Sequence, residues 1–334
     1  MIVLSADVGG TKTIIQLVIV ELYFDSPRIH VIQEKYYASS DFASFTELIK
    51  DFLKGCNISQ YPQAACISVA GPIEDTGISQ KSKLTNLTWE LDSIILSNEL
   101  KIEKVKIIND FEAIAYGVGF LDESNLTTIQ SGIPLNKKNR LVVGAGTGLG
   151  VCLLVWDGNK YKAVPTEGGH IGFSPSNDDQ DYIHQALRKI FGRTSIERIV
   201  SGPGLENIYK SLCDKYVFES EFSEGEKDLA AAIAKLAFKQ CDSMAAKALT
   251  LFIQCYGSFI GDTALSCFAS GGVFMAGGIA PKILWRLTQP DFINSINSKG
   301  RMERIVKDIP IWVVLNQKVG LIGSTLVAAN PDFG

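Results

Sequence analysis

The chain has 334 residues, with 32 Lys and Arg side chains against 36 Asp and Glu, so its formal net charge is −4. This balance argues against a polyanion-binding surface, and we expect no nucleic acid among the partners. Hydrophobic residues make up 46% of the chain and charged residues 20%, which is typical of a folded globular protein and excludes long disordered tracts. The length predicts two domains, because single cores rarely grow beyond about 250–300 residues.

Three features bear on where the protein works. The longest charge-free stretch, residues 263–281, contains four glycines and ends at a proline, so we expect no membrane-spanning helix. The N-terminal MIVLSADVGG carries an acid where a secretory signal needs a basic region. The seven cysteines are odd in number and show no CxxC spacing, which suits reduced thiols. Together these features predict a cytoplasmic protein.

The first third of the chain predicts an α/β unit, because strand-like apolar runs alternate with helically periodic segments. A glycine turn, Gly9-Gly10-Thr11-Lys12, joins the first two strands. The predicted strands are 2–8, 13–20, 29–37, 64–70 and 105–108, and the predicted helices are 41–53, 92–100 and 111–117.

The second part of the chain begins in the same way, about one domain length later. Strand 141–143, the glycine turn 144–150 and strand 151–156 repeat the pattern of the N-terminus. Helices are expected to dominate residues 178–270, followed by strands 273–276 and 311–315 and a final helix 321–329. We therefore expect two α/β units of one design, with mixed sheets flanked by helices.

The two glycine turns are candidate phosphate-binding loops. In the first, Asp7 ends a buried strand, and Gly9, Gly10 and Thr11 leave the backbone N–H groups accessible. A tight structural hairpin is the alternative interpretation. The second turn, 144–150, packs four glycines and a threonine between two strands. It is not a dinucleotide fingerprint, because the third glycine would fall on Leu149, and not a Walker A loop, because the chain contains no Gly-Lys pair. A strand on both sides points to a phosphate-binding hairpin, and a merely structural turn is the alternative.

Two polar pairs are candidate ligand contacts. Asn109 and Asp110 follow a buried strand and precede a helix, where α/β proteins place ligand-binding groups. One of the two is also a candidate helix cap, so one could cap while the other reacts. Glu167 and His170 flank two glycines in a loop, where they could hydrogen-bond several hydroxyls of one small polar ligand. The alternative for His170 is a turn residue with its own partners.

Two further positions are weaker candidates. Glu197 precedes Ser201-Gly-Pro-Gly204, but most glutamates are simply solvated. Gly277-Gly278 ends a strand before a proline, a shape that lets a flat or phosphorylated ligand lie against the backbone.

Together these segments resemble those of the bacterial glucokinases, a sugar kinase family within the actin, hexokinase and Hsp70 ATPase superfamily. The resemblance extends along nearly the whole chain, and the joint order of the segments is specific. The matching segments are Asp7-Val-Gly-Gly-Thr11, Thr85-Asn86 to Trp89, Ile107-Ile-Asn-Asp-Phe111, Gly144-Ala-Gly-Thr-Gly-Leu-Gly150, Glu167-Gly-Gly-His170, Glu197-Arg198 to Ser201-Gly-Pro-Gly204, Gly271-Gly-Val-Phe to Ala276-Gly-Gly-Ile279 and Gly320-Leu-Ile-Gly323.

The resemblance implies ATP-dependent phosphorylation of the 6-hydroxyl of D-glucose, in a cleft between two ribonuclease-H-like domains. The implied domains are residues 1–120 with 318–334, and residues 121–317. Asp110 would be the general base, and Asp7 would lie near Mg²⁺, through water. The implied sugar contacts are Asn109, Glu167, His170, Glu197 and Asn86, and the implied ATP contacts are Asp7, Gly9, Gly10, Thr11, Lys12, Gly146, Thr147, Gly148, Gly277 and Gly278.

The chain departs from related sequences at two points. Some close relatives carry asparagine at the position of Lys12, so this lysine alters either the phosphate contacts or only the surface. The chain also lacks the CxCG cluster of the broader sugar kinases, and no zinc is expected. The resemblance further implies a homodimer. A kinase for another hexose or an N-acetylated amino sugar, and a catalytically silent sugar sensor on the same scaffold, are the alternative functions.

Overall fold

A computed structural model describes residues 1–21, 27–56, 60–84, 87–223 and 225–330. The chain forms two compact units. One consists of Met1–Asp122 and the chain from Lys318 onward, and the other of Glu123–Gln317. Each unit is built on a mixed β-sheet with helices, so the predicted α/β class is confirmed.

The first unit contains a five-stranded sheet in the order β3-β2-β1-β4-β8, and a separate sheet of three short strands, β5-β6-β7. Strand β1 pairs antiparallel with β2 across the first glycine turn and parallel with β4, which is itself parallel to β8. The strands are β1 Ile2–Val8, β2 Lys12–Glu21, β3 Arg28–Ala38, β4 Ala64–Val69, β5 Glu74–Asp75, β6 Gln80–Lys83, β7 Glu90–Asp92 and β8 Lys104–Asn109. The helices are α1 Phe45–Lys54, α2 Ser93–Leu100, α3 Asp110–Val118 and the C-terminal helix α11 Val319–Ala329.

Helices cover both faces of the five-stranded sheet, which explains why its strands β1, β2 and β4 are mostly apolar and buried, whereas the edge strand β3 is largely exposed. In β1, Leu4 and Ala6 belong to the core formed with α1 and α2, whereas Val3 packs on the side of α3 and α11. Side chains alternate between the two faces of a strand. The side chain of Asp7, four positions after Val3, therefore lies on the same face of β1 as Val3, the face that α3 and α11 cover.

Helices α3 and α11 pack with their backbones almost in contact. A Cβ atom at Gly323 would overlap the carbonyl oxygen of Ala113, and one at Gly117 would overlap the carbonyl oxygen of Val319. Only glycine fits at such crossings, because any side chain would force the helices apart. The C-terminal helix thus fixes the position of α3, whose first residue is Asp110.

The second unit contains a six-stranded sheet in the order β12-β11-β10-β13-β14-β9. Its strands are β9 Leu126–Gln130, β10 Arg140–Ala145, β11 Leu149–Trp156, β12 Tyr161–Thr166, β13 Val273–Ala276 and β14 Ile311–Val314. Its helices are α4 Asp178–Phe191, α5 Gly202–Tyr216, α6 Leu229–Lys239, α7 Met244–Ser266, α8 Leu284–Leu287, α9 Pro290–Asn297 and α10 Glu303–Lys307. Helix α7 is the longest and contributes much of the buried core, including Phe252 and Tyr256.

The two sheets share one topology, as the two glycine turns predicted. Strand β10 pairs antiparallel with β11 across the second glycine turn and parallel with β13, as β1 does with β2 and β4. In each sheet three consecutive strands are antiparallel, β1–β3 or β10–β12, and two later strands are parallel to the first of them, β4 and β8 or β13 and β14. The second sheet has one additional strand, β9, which precedes β10 in the chain and pairs antiparallel with β14.

The structure differs from the sequence prediction at several element ends. The helix predicted at 41–53 begins at Phe45, because the Ser44 side chain accepts a hydrogen bond from the Glu47 N–H and caps the helix there. The final helix begins at Val319, two residues earlier than predicted. Strands β5, β6, β7, β9 and β12 were not predicted, because they are short or exposed and lack a strong apolar pattern.

All seven cysteines lie in the described ranges and are free. No helix within those ranges has both the length and the hydropathy that crossing a bilayer requires.

The packing of α3 on α11 predicts different outcomes for two glycines of the same helix. Gly323→Ala should lower the free energy of unfolding by about 1–3 kcal/mol, because the added methyl group overlaps the α3 backbone. Gly320→Ala is the matched control. Its Cβ would lie 3.5 Å from Ile114 Cγ1, an ordinary contact, and alanine favours the helix by up to about 1 kcal/mol. Urea titration of the two variants measures the difference, and equal midpoints would contradict this account of the packing.

Candidate active site

The first candidate group is the carboxylate of Asp7, near the end of β1. Ser68 is its partner across the parallel pair of β1 and β4. The Ser68 hydroxyl oxygen is 3.1 Å from Asp7 Oδ1 and 3.2 Å from the carbonyl oxygen of Ala6, so its single proton is shared between these two acceptors. Burial raises the pKa of Asp7, and the hydrogen bond from Ser68 partly opposes that shift. Sequence reasoning missed Ser68, although it is a lone hydroxyl in an otherwise apolar strand.

Of the two residues that the sequence left as candidate caps, Asn109 and Asp110, the structure places Asn109 in the capping role. Asn109 is the N-cap of α3, since its Oδ1 accepts a 2.8 Å hydrogen bond from the Phe111 N–H. Its Nδ2 donates to the carbonyl oxygen of Gly71 at 3.0 Å. Asp110 is the first residue of the helix, and its Oδ1 is 3.0 Å from the same Phe111 nitrogen. The capping role thus belongs to Asn109, which leaves Asp110 as the candidate reactive group.

Electrostatics set Asp110 apart from an ordinary surface aspartate. Burial and, to a smaller extent, the negative charge of Asp7 raise the pKa of Asp110 to about 6, while hydrogen bonds from the helix backbone oppose the shift. A carboxyl group with such a pKa accepts a proton near neutral pH more readily than a solvated aspartate does.

Glu112 is a second perturbed acid that the sequence analysis did not select. Burial raises the pKa of Glu112 to about 7, and the positive charge of Lys106 opposes the shift. Glu112 lies two positions after Asp110, so the two side chains point in different directions from the first turn of α3. The sequence signal for Glu112 was weak, because acids are common in the first turn of any helix.

The first glycine turn is braced through its carbonyl groups. Ser39 donates its N–H to the carbonyl oxygen of Thr11 at 3.0 Å and its hydroxyl to that of Gly9 at 3.2 Å. The Gly9 N–H closes the turn onto the carbonyl oxygen of Lys12 at 3.0 Å. Neither Gly10 nor Thr11 donates its backbone N–H to another described residue. These two donors are therefore available to an anionic ligand.

Lys12 and Asn86 complete the sequence-predicted group in the first unit. Lys12 begins β2 and is exposed, and its ammonium lies 4.1 Å from the centroid of the Tyr36 ring. This cation–π contact gives the lysine a local structural role. Asn86 lies outside the described residues.

The second glycine turn is equally compact. The Gly146 N–H donates to the carbonyl oxygen of Gly148 at 2.8 Å, and the Gly202 N–H at the start of α5 donates to the carbonyl oxygen of Gly146 at 2.8 Å. The N–H groups of Thr147 and Gly148 have no acceptor among the described residues. A Cβ at Gly146 would meet nothing within 4 Å, so the space above the turn is open.

Gly277 and Gly278 lie directly beside this second turn. Gly277 has φ +80°, and a Cβ there would lie 2.7 Å from the carbonyl oxygen of Ala145. The Ile279 N–H donates to the same oxygen at 3.2 Å. A Cβ at Gly278 would meet no atom within 4 Å, so this glycine presents open backbone next to the turn. The structure thus brings together two of the sequence-predicted segments.

Glu167 and His170 belong to a short 3₁₀ turn that follows β12. Glu167 Oε2 lies 3.7 Å from His170 Nε2, and both side chains are mostly exposed, 73% and 57%. The backbone, by contrast, is well anchored. A Cβ at Gly169 would overlap the carbonyl oxygen of Leu149, and Arg193 Nη1 donates to the carbonyl oxygen of His170 at 2.9 Å.

Glu197 lies on the second glycine turn. Its Oε2 accepts a hydrogen bond from the Leu149 N–H at 2.9 Å, and a Cβ at Gly148 would lie 2.7 Å from the same oxygen. A β-bridge between Gly172 and Ser195 connects the Glu197 segment to the Glu167 loop. The second unit therefore gathers Glu167, His170, Glu197 and both of its glycine segments around the start of β11.

Comparison with known proteins bears on the whole chain. The family model described as Glucokinase matches residues 4–331. The glucokinase of Nostoc sp. is 39% identical over 345 residues, covering 98% of this chain and 99% of the relative. The crystal structure of a glucokinase from an Antarctic psychrotroph has a TM-score of 0.84 and 29% identity, over 98% of both chains.

A more distant structure has the same fold. The glucokinase of Balamuthia mandrillaris, solved in complex with glucose, has a TM-score of 0.77 at 21% identity and covers 98% of this chain and 94% of its own. Likeness at this identity shows the fold alone. The predicted actin-like ATPase fold is confirmed by these neighbours. Because a family model matches nearly its full length and a relative is more than 30% identical throughout, the chain belongs to the glucokinase family.

Proposed function

We propose that this protein transfers the γ-phosphoryl group of ATP to the 6-hydroxyl of D-glucose, with Asp110 as the general base. The observation that carries the proposal is the buried carboxyl group of Asp110 at the start of α3, with its raised pKa. In a member of the glucokinase family, a carboxyl group at the start of α3 has a pKa of about 6, raised by burial and by the neighbouring charge of Asp7. Its capping neighbour Asn109 satisfies the helix end, so Asp110 is not needed there.

The two glycine turns are proposed to hold the phosphates of ATP. Gly10 and Thr11 in one turn, and Thr147 and Gly148 in the other, have backbone N–H groups that bond to no other described residue. Such N–H groups bind phosphate oxygens without a side chain, which suits a ligand that must approach the backbone closely. Gly277 and Gly278, open beside the second turn, are proposed to lie at the adenosine. Lys12 remains a proposed phosphate contact, in competition with its contact to Tyr36.

The residues present also fit a magnesium ion bound with the nucleotide. Among the described residues, no group of three or more His, Cys, Asp or Glu side chains is arranged to hold a metal ion. Mg²⁺ in kinases keeps several waters and needs only one or two protein carboxylates besides the phosphates, and the oxygens of Asp7 supply such a ligand, in this proposal through water. When bound, the ion neutralises the charge that develops on the phosphates.

Proton transfer assigns the chemical role of Asp110. As the 6-hydroxyl oxygen of the sugar forms its bond to the γ-phosphorus and the bond to the β-phosphate oxygen breaks, the hydroxyl proton passes to the Asp110 carboxylate, and ADP leaves. The unpaired N–H groups of the glycine turns stabilise the transferred charge. The protein otherwise contributes positioning, since phosphoryl transfer needs little covalent help.

Glu167, His170, Asn109 and Glu197 are proposed to bind the sugar hydroxyls. Glu167 and His170 present adjacent acceptor and donor groups on an anchored backbone. Asn109 has one remaining N–H of its amide, because the other one is used by Gly71. Asn86, which lies outside the described residues, remains a proposed contact from the resemblance.

The two compact units are proposed to be the two domains, with the first boundary at Asp122, two residues beyond the one implied by the resemblance. The product would be glucose 6-phosphate, the entry compound of glycolysis. A cytoplasmic location is supported by the seven free cysteines. A homodimer is supported only by the resemblance.

Sugar-dependent ADP release tests the proposed reaction and its base. Glucose should give the highest kcat/KM in a panel with mannose, fructose and N-acetylated amino sugars. Asp110→Asn should lower kcat by about 10²–10⁴-fold with little change in glucose affinity, because asparagine keeps the acceptor for the Phe111 N–H but takes no proton. Glu112→Gln is the matched control, with turnover near that of the wild type. If another sugar gives the highest kcat/KM, that sugar is the substrate. If kcat falls only in Glu112→Gln, the general base is Glu112. If no sugar supports turnover, the protein is a catalytically silent sugar sensor.

The raised pKa of Asp110 predicts the pH dependence of turnover. The base must be deprotonated, and its pKa is about 6, so kcat/KM for glucose should be level above that pH and fall about tenfold per pH unit below it. A midpoint near 4 would indicate a solvated carboxyl group instead. The Glu112→Gln variant should keep the same midpoint, and a shift in that variant would assign the titration to Glu112, whose pKa is about 7.

Removal of a sugar contact should separate the two substrates. Glu167→Ala should raise KM for glucose at least tenfold while changing KM for ATP little, because the lost carboxylate leaves sugar hydroxyls without an acceptor. Glu219→Ala removes another exposed glutamate of the same unit and serves as the control. Steady-state kinetics with each substrate varied in turn makes the comparison, and an unchanged KM for glucose would remove Glu167 from the site.

A further inference from the structure

The backbone of Leu149 is the meeting point of three segments with different proposed tasks. Its N–H donates to Glu197 Oε2 at 2.9 Å, and its carbonyl oxygen is so close to Gly169 that no Cβ fits between them. Leu149 itself follows the second glycine turn and begins β11. One residue therefore connects the turn proposed to hold phosphates with two segments proposed to hold the sugar.

Gly148 shows how tightly the carboxylate of Glu197 lies on that turn. A Cβ at Gly148 would be 2.7 Å from Glu197 Oε2 and 3.4 Å from the carboxyl carbon. Apart from the two chain neighbours of Gly148, no other described residue comes within 4 Å of that Cβ position, so the carboxylate alone makes glycine the residue that fits. The contact is specific to this glycine, because a Cβ at Gly146 in the same turn would meet nothing within 4 Å.

The rest of Glu197 is held from its own backbone. Its carbonyl oxygen accepts a 2.7 Å hydrogen bond from the Ser201 hydroxyl, which also caps α5 through the Gly204 N–H at 3.0 Å. The side chain is half-buried, and Oε1 bonds to no other described residue. One carboxylate oxygen is thus committed to the turn, and the other is available to a hydroxyl group.

We propose that Glu197 is a positioning residue that couples hexose binding to nucleotide binding, with Oε2 fixing the second glycine turn through the Leu149 N–H while Oε1 accepts a sugar hydroxyl. The inference rests on the proposed function and deepens it. A sugar hydroxyl bonded to Oε1 restricts the rotation of the carboxylate, which in turn restricts the turn that Oε2 holds. The unpaired N–H groups of Thr147 and Gly148 are then ordered before the nucleotide arrives, so the nucleotide loses less entropy on binding.

The coupling is measured as a ratio of two dissociation constants. Titration calorimetry gives the Kd of the non-hydrolysable analogue AMPPNP with Mg²⁺, first without glucose and then with saturating glucose. The wild-type ratio should exceed 5, since coupling between linked sites commonly lies between about 5-fold and 150-fold. Substitution of a residue that only binds sugar would leave this ratio unchanged. Substitution of a residue that only supports the turn would change the Kd of AMPPNP equally with and without glucose, so the ratio would again stay the same.

Three variants separate these roles. Glu197→Ala removes both contacts and should bring the ratio close to 1 while weakening AMPPNP binding without glucose about tenfold, as expected for the loss of a charge-assisted hydrogen bond. Glu197→Gln keeps an acceptor for the Leu149 N–H, so AMPPNP binding without glucose should stay within about twofold of the wild type. Gly148→Ala keeps Glu197 but displaces its carboxylate, and should also bring the ratio close to 1.

A double substitution tests whether Gly148 and Glu197 act through the same contact. Gly148→Ala should change the ratio no further in the Glu197→Ala background, because the carboxylate it displaces is already absent. A wild-type ratio of 1, or a ratio unchanged in both Glu197→Ala and Gly148→Ala, overturns the inference. Additive effects in the double variant overturn it as well. The proposed function fails separately, if the wild type releases no ADP in the presence of glucose, so the two failures are distinguishable.

Discussion

The function proposed for this protein depends on one constraint on the backbone, which is that certain N–H groups stay unpaired at a turn between two antiparallel strands. Folded proteins rarely leave backbone donors unpaired, so a turn that does so must keep its donors open to water or to a ligand. Glycine makes this possible, because no side chain covers the backbone. Both units meet the constraint in the same way. The carbonyl groups of the turn accept hydrogen bonds from Ser39 in one unit and from Gly202 in the other, and the N–H groups of Thr11 and Thr147 have no acceptor in the described part of the chain.

The first unit adds acids at the ends of parallel strands, and this arrangement costs stability. An acid with a raised pKa binds its proton more tightly in the folded chain than in the unfolded one. Its contribution to the free energy of unfolding is therefore largest below its ordinary pKa, and is lost as pH rises towards about 6 for Asp110 and about 7 for Glu112. At neutral pH these charges oppose folding, and the apolar packing of both sheet faces offsets them. The glycine contact between α3 and α11 belongs to that packing, and it places Asp110 at the same time.

The sequence predicted most of the architecture, because the strongest signals were strands buried on both faces and turns that only glycine suits. The repeated glycine turn predicted the shared topology of the two sheets. The sequence could not predict those features of the site that depend on contacts between distant segments. Ser68 became relevant only when the parallel pairing of β1 and β4 placed it opposite Asp7. The division of tasks between Asn109 and Asp110 required the hydrogen bond to Gly71, a residue of another loop. Helix 41–53 was placed too early, because Asp41 and Ser44 are both capping residues and only Ser44 caps α1.

Glu197 illustrates a limit of motif reasoning that has a physical cause. The local sequence did not distinguish Glu197 from an ordinary solvated glutamate, and the family resemblance implied only that it is one of several sugar contacts. Its hydrogen bond to the Leu149 N–H shows that the same carboxylate also restrains the turn with the free donors of Thr147 and Gly148. Coupling between two ligands is reciprocal, so a sugar that orders this turn for the nucleotide must itself bind more tightly once the nucleotide is present. A kinase built in this way has its phosphate donors fully ordered only when an acceptor alcohol is in place, and that condition favours transfer to the sugar over loss of the phosphoryl group to water.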